Sequence, residues 1–193
     1  MNQPDICPWA GTHADYIFYH DSEWGVPCHD SHKLFEKLCL EAQQAGLSWL
    51  VILRKRAHYR RCFHDFAPPL VAQMTDLELE QLLLDPGLVR HRGKLIAIRT
   101  NARAYLRLQE QGVDFAAWLW SFVGGVPQIN HFSSMEQVPT QTAQSRQMAA
   151  ALKKAGFAFV GPVSCYAFMQ SMGMVNDHLV SCHRHPQARC SGG

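Results

Sequence analysis

Helical periodicity constrains what this chain can fold into more than any other feature. Behind Ser31, read as an N-cap, Leu34, Phe35, Leu38, Cys39, Ala42 and Ala45 fall on one face at the 3.6-residue spacing, and Gly46 stops the pattern. Ser48 caps the next helix, "WLVILRKRAHYRRCF", and Thr75 opens "TDLELEQLLLD", which ends at Pro86-Gly87. "RHRGKLIAIRTNARAYLRLQEQG" makes a long helix closed by Gly112, "DFAAWLWSFVGG" follows, and Pro127 begins a polar loop through Pro139. "TQTAQSRQMAAALKKAGF" is a capped helix ending at Gly156. A last helix begins near Gly161-Pro162 and runs into "MVNDHLVSCH". No stretch alternates long enough for a sheet, and there is no internal repeat. The expectation is a mostly α globular fold: one domain over residues 1–193, or two small helical lobes around a shared cleft, with residues 183–193 as a flexible tail.

Hydrophobic residues make up 47% of the 193-residue chain, enough to bury a proper core. The longest apolar runs, "LVIL" (50–53) and "AAWLW" (116–120), fall far short of the ~20 residues that span a bilayer, so no membrane role is expected. The segment "MNQPDICPWAGTH" has neither a basic start nor a long apolar stretch and does not read as a signal peptide, which points to a cytoplasmic protein. Its seven cysteines form no C-x-x-C pair; without an export signal they read as buried thiols or metal ligands rather than disulfides. The formal charge of +2 does not define a partner. Its clustering is more informative: Arg54, Lys55, Arg56, Arg60 and Arg61, then Arg90, Arg92 and Lys94, then Lys153 and Lys154. Each cluster either meets phosphates or forms a solvated helix face.

Four features carry chemistry. Glu41 sits at the edge of an apolar helix face. It either pairs with Lys37 one turn earlier, worth ~0.3–0.5 kcal/mol, or looks into a pocket beside Trp49. "DYIFYH" places Tyr16 and Tyr19 three apart, neighbours on a helix, with Trp24 following. These are core residues, or the flat rings that a nucleobase pocket requires near a carboxylate. His178 and Cys182 lie four apart, on one face if helical, and Cys7 and His20 would complete a tetrahedral Cys2His2 zinc shell. His183, His185 and Cys190 compete as ligands, and four protein ligands would make the site structural. Finally, "LKKAGFAFVGPVSCYAF" reads as helix, glycine-bounded hairpin, helix, with Pro162 in the first turn. The exposed amides around Gly161 offer a phosphate site, unless the hairpin merely turns the chain.

Together, "YHDSEWGVP", "LFEKLCLEAQQAGLSW", "VRHRGKLIAIRTNARAY", "LKKAGFAFVG" and "MVNDHLVSC" resemble the 3-methyladenine DNA glycosylase I family, in order, from about Cys7 to Cys182. The resemblance implies a helix-hairpin-helix glycosylase fold and excision of 3-methyladenine, the product, from alkylated double-stranded DNA by a monomer. It also implies one structural Zn2+ on Cys7, His20, His178 and Cys182, stapling the N- and C-terminal segments. Base recognition falls to Glu41, Tyr16, Tyr19 and Trp49, with Glu41 as the catalytic group. Leu47, in the turn after Gly46, then reads as a wedge into the vacated base stack, though a turn leucine can also fold back onto the core. The superfamily's usual aspartate position falls on Asn176. Asp177 is one step off, and on a helix a one-residue shift turns a side chain by ~100°, so Asp177 need not face the pocket. The competing readings are a zinc-stabilised, non-catalytic DNA-binding module and a zinc hydrolase for a small molecule.

Overall fold

The amphipathic segment behind residue 30 becomes the central helix of the molecule, and everything that positions the site packs around it. The computed structural model describes residues 5–186. Asp30 caps α2 (Ser31–Gln44), its carboxylate accepting from the amides of His32 and Lys33, so Ser31 is the first helical residue rather than the cap. Leu34, Phe35, Leu38, Cys39 and Ala42 are buried, as the periodicity predicts, whereas Ala45 is exposed because the helix ends at Gln44 and Ala45 is its C-cap. Burial of such side chains contributes roughly 1.5–3 kcal/mol for each large one. α2 packs against α6 (Arg92–Glu110) and α9 (Pro162–Ser171). Around it stand α1 (Ala14–Ser22), α3 (Trp49–Cys62), α4 (Pro68–Gln73), α5 (Asp76–Leu82), α7 (Phe115–Ser121) and α8 (Ala143–Lys154). None of these helices is long and apolar enough to cross a membrane, among the described residues.

Local chemistry accounts for most boundaries. Thr75 and Glu78 form a reciprocal capping box at the start of α5, and Thr142 with Ser145 forms another at α8. Ser48 occupies the N-cap of α3, but its hydroxyl makes no capping bond. α2 ends because Gly46 takes a left-handed φ of 79°, a conformation that favours glycine. Lys94 closes the same helix end: its ammonium donates to the carbonyls of Gln43 (2.9 Å) and Ala45 (2.6 Å). A cation at a helix C-terminus is favoured by the dipole as well as by the free carbonyls. Lys94 is therefore buried structure and does not belong to a phosphate-facing cluster.

The C-terminal part departs from the expected single helix. α9 stops at Ser171, and Gly173 (φ 68°) turns the chain so closely against α2's approach that a Cβ there would lie 2.4 Å from backbone atoms of Val26 and Pro27. The chain then runs extended. A two-residue parallel pairing joins β1 (Gln128–Ile129) to β2 (Val175–Asn176), adding a scrap of sheet to an otherwise helical fold. Residues 177–182 follow as a loop and turn. The hairpin between α8 and α9 is pinned from α6 by Asn101, whose side chain exchanges two hydrogen bonds with the backbone of Ala158 (2.8 and 3.3 Å).

Candidate functional site

A cavity of about 220 Å³ opens between α1, α2, the start of α3 and the C-terminal segment. Tyr16, Tyr19, Glu41 and Trp49, named from the sequence, all line it, together with Trp9, Trp24, Gln44, Gln170, Ser171 and Asp177. Helical spacing on α1 sets Tyr16 and Tyr19 on the same side, ring planes 25° apart and centroids 6.4 Å apart. Trp9 leans edge-on against Tyr16 and Trp24 at 5.1 and 4.9 Å, and Tyr19 meets Trp49 at 5.6 Å. The result is a slot walled by flat rings with two carboxylates, Glu41 and Asp177, in its lining.

Glu41 is 3% exposed, and the two sequence readings of it are both true at once. Its Oε1 lies 3.1 Å from the Lys37 ammonium, as an i,i+4 pair, while the same carboxylate lines the cavity. Burial pushes the Glu41 carboxyl above its ordinary value of 4.5, and Lys37 pulls it back. Burial likewise presses the Lys37 ammonium down to about 8, against the opposing attraction of Glu41. The buried indole N–H of Trp49 has no acceptor in the protein. A buried donor of this kind costs free energy until something accepts from it.

Asp177 faces the cavity, an orientation that the sequence leaves open. The segment around it is extended, where neighbouring side chains point to opposite sides, so the one-residue offset from Asn176 puts Asp177 in the wall. Three donors hold it: Tyr166 Oη (2.6 Å), Asn130 Nδ2 (2.6 Å) and Gln170 Nε2 (2.8 Å). Its lone pairs are engaged, which suits a wall support better than a nucleophile. Trp9 was not singled out from the sequence. Its signal lay in "CPW", two residues from a candidate ligand, which brings that ring to wherever Cys7 is fixed.

Behind the aromatic wall, Cys7, His20, His178 and Cys182 come together, all buried, with their ligand atoms within 4.8 Å of one another. The Sγ of Cys182 is 3.5 Å from His20 Nε2 and 3.6 Å from His178 Nδ1, and the Sγ of Cys7 is 3.7 Å from His178 Nδ1. Each imidazole turns its other nitrogen to an oxygen: His20 Nδ1 to Asp21 (2.7 Å) and His178 Nε2 to the carbonyl of Trp24 (3.2 Å). That is the outer-shell arrangement of histidines that bind metals, and the four residues could hold a metal ion. Cys182 reaches His178 through a turn rather than along a helix face. Of the competing ligands, His183 bonds Asp5 and Asp21, and His185 is buried against the carbonyl of Asn130. Cys190 lies outside the described residues.

Leu47 is 39% exposed at the turn between α2 and α3, and the side chain of the cavity residue Gln44 donates to its carbonyl (3.1 Å). Gly161 caps α9, and Lys153 and Lys154 are exposed at the end of α8, beside the hairpin. Much of the α3 basic cluster is spoken for: Arg54 pairs with Asp15, Arg56 with Glu23 and Arg60 with Glu36, as Arg92 does with Glu80. Those four read as ion-paired faces. A second group of ligand-type side chains, His58, Cys62 and Asp85, is closed on itself. His58 Nε2 meets Asp85 at 2.7 Å, Arg61 bonds His58 Nδ1 at 2.8 Å, and the Gly87 amide occupies the other carboxylate oxygen at 2.7 Å.

The fold and site thus define a helical protein with an acidic, ring-lined slot and a buried Cys/His cluster. Comparison makes it particular: the methyladenine glycosylase family matches residues 9–185, and the chain belongs to that family. It is 52% identical over 176 residues to the DNA-3-methyladenine glycosylase of Haemophilus influenzae, covering 91% of this chain and 95% of that one. It is 51% identical over 180 residues to DNA-3-methyladenine glycosylase 1 of Escherichia coli, covering 93% and 96%. A crystal structure of a 3-methyladenine DNA glycosylase I superimposes with a TM-score of 0.93 at 52% identity, covering 94% of this chain and all of that one. The Staphylococcus aureus 3-methyladenine DNA glycosylase I, solved for its recognition of 3-methyladenine, gives 0.90 at 39% identity, covering 94% and 96%.

Proposed function

We propose that this chain is a DNA-3-methyladenine glycosylase, which turns the damaged base out of a duplex and hydrolyses its N-glycosidic bond without cutting the strand. The observation that carries this is the Glu41 carboxylate, buried inside a cavity walled by Tyr16, Tyr19 and Trp49. Chemistry on a base requires removing it from the stack, at a cost of a few kcal/mol. In this reading the exposed Leu47 fills the gap, and the amides near Gly161 with Lys153 and Lys154 contact the backbone phosphates. The flipped ring stacks among the aromatics, and the unpartnered Trp49 N–H meets an acceptor nitrogen of the purine. Glu41 accepts from the polar edge. Its charge favours the cationic 3-methylated base over neutral adenine, an effect strengthened by the low dielectric around it.

A cationic base is a good leaving group. The glycosidic bond breaks with its electron pair passing to the purine, whose positive charge is thereby cancelled. Water adds to the resulting oxocarbenium carbon and releases a proton to solvent, leaving an abasic sugar and free 3-methyladenine. Glu41 stabilises the developing charge, so no lysine nucleophile or strong general acid enters.

The reading extends to a structural Zn2+ on Cys7, His20, His178 and Cys182. Bonds of about 2.3 Å to sulfur and 2.0–2.1 Å to nitrogen, in tetrahedral array, set sulfur and nitrogen about 3.6 Å apart. The observed 3.5–3.7 Å spacings fit. Four protein ligands leave no position for a reactive water. Zinc in stoichiometric amount is expected in purified, unchelated protein; its absence would end this assignment.

The activity is tested by incubating the protein with methylated duplex, without Mg2+, and measuring free 3-methyladenine by chromatography beside Glu41→Gln. Release by the wild type and a loss of roughly 10²-fold or more in a folded variant are expected. Release by neither, from folded metal-loaded protein, would replace an enzyme with a DNA-binding module.

A further inference from the structure

Lys37 touches more of the recognition apparatus than any other residue, yet it does not line the cavity. It stands behind the wall, facing a second, shallow surface depression bordered by Glu23, Glu36, Arg56 and Arg60. An ammonium has three protons to donate, and the surroundings of Lys37 account for all three. One goes to Tyr19 Oη at 2.8 Å and one to Glu41 Oε1 at 3.1 Å. The third faces the Trp49 ring, whose centroid lies 3.3 Å from Nζ. A single cation thus contacts the base-reading carboxylate and two of the rings that stack on the base.

We propose that Lys37 is a positioning residue for base recognition: from behind the pocket wall its ammonium holds Glu41, Tyr19 and Trp49 in register and keeps Glu41 ionised before the base arrives. This rests on Glu41 being the base reader. A carboxylate enclosed by aromatic rings tends to take up a proton, and a neutral acid has no particular attraction for a cationic base. Lys37 supplies the opposing charge inside the fold. The other groups around it do not replace it. From α1 come Tyr19 and Glu23, and from α3 come Trp49 and Arg56. Glu23 and Arg56 are committed to each other in a two-bond pair of 2.5 and 2.8 Å. From α9, Ser171 lines the cavity with a hydroxyl whose proton goes to the carbonyl of Phe168 (2.9 Å), and Tyr16 and the Asp177 carboxylate, which face Glu41 across the cavity, bring no cation.

The sign follows from the direction of each shift. Burial raises Glu41 and Lys37 lowers it, so removing Lys37 moves the Glu41 titration to higher pH. Base-reading competence is present above that titration and is lost as pH falls through it.

The test compares the pH dependence of kcat/KM for 3-methyladenine release in wild type, Lys37→Met, Lys37→Arg, Glu41→Gln and the Lys37→Met/Glu41→Gln double variant, each first checked for cooperative melting. For Lys37→Met the acid limb should rise by at least about one pH unit. That is a tenfold loss on the acid side, recovering to within a few-fold at alkaline pH. Lys37→Arg should keep the limb where the wild type has it. Lys37→Met should cost clearly less in the Glu41→Gln background than in the wild type, since much of its action runs through the carboxylate and only its contacts to Tyr19 and Trp49 remain to be lost. Superimposable limbs, an equal loss at every pH, or additive losses would overturn the proposal.

A second measurement needs neither a folded variant nor activity. In the wild type, the Glu41 carboxyl carbon and the Lys37 Nζ, followed by NMR, should each report the other's titration, and independent single-step curves would refute the coupling. Absence of base release by the wild type would instead remove the glycosylase reading and leave this second result standing.

Discussion

The Cys/His cluster and the Glu41 cavity lie back to back and draw on the same elements, yet they treat buried polarity in opposite ways. His20 follows Tyr19 on α1, His178 follows Asp177, and the Trp24 carbonyl that orients His178 belongs to a cavity residue. In the cluster every donor has an answer within the protein, including both outer nitrogens of the imidazoles. In the cavity, the Trp49 N–H is left unanswered and Glu41 has a countercharge on one side only. A region whose bonds are complete confers rigidity. A region left incomplete confers selectivity, because a ligand gains what the protein lacks.

The largest effect should come from breaking the closed region. Cys182→Ser removes one member of the cluster, and if the proposed Zn2+ sits there, unfolding free energy should fall by roughly 3 kcal/mol or more and the metal content should drop. Base release should fall with it, because Trp9, Tyr19 and Asp177 all neighbour the cluster in sequence. Denaturation followed beside metal analysis tests this; an unchanged melting curve would show that the cluster carries no structural load. A middle-sized effect is expected at the seam between the regions. Asp177→Asn turns a donor toward residues that already donate, costing about 1–3 kcal/mol, with the metal retained. If thermal melting is unmoved, the three bonds to Asp177 are not holding the wall. The smallest change in stability belongs to Leu47→Ala on the open side. An exposed turn leucine should shift stability by no more than about 0.5 kcal/mol, while excision from duplex DNA drops roughly tenfold because the vacated stack is no longer filled. Unaltered excision by this variant would retire the wedge.

How far the molecule could be foreseen also differs between the regions. α2 was legible because its apolar side chains recur at helical spacing, although residues 34–43 are buried all round, and Tyr16 with Tyr19 followed from the same spacing on α1. The ligand set was legible as residue types, but the pairing of His178 with Cys182 was foreseen on the wrong local geometry. What ends α9 is a close backbone approach at Gly173, made by residues nearly 150 positions away. No periodicity announces such a contact. The orientation of Asp177 was not legible for the same reason, since a rotation of ~100° per residue holds on a helix and not in the extended chain that is there. Lys94 looked like a surface cation because charge reads as solvated until a helix end is found to need it. Lys37 was seen only as a pair with Glu41; its contacts to Tyr19 and Trp49 depend on how α1 and α3 pack.

The cavity wall joins Trp9 to Asp177, and the amide of His183 donates to the carbonyl of Asp5 at 2.9 Å. For a chain made from one end to the other, this sets an order of events. The first tryptophan of the slot waits for Gln170, Ser171 and Asp177, more than 160 positions later, before its lining is whole. A chain that stops before α9 lacks that part of the slot, so the site itself distinguishes such a product from one that has passed Asp177.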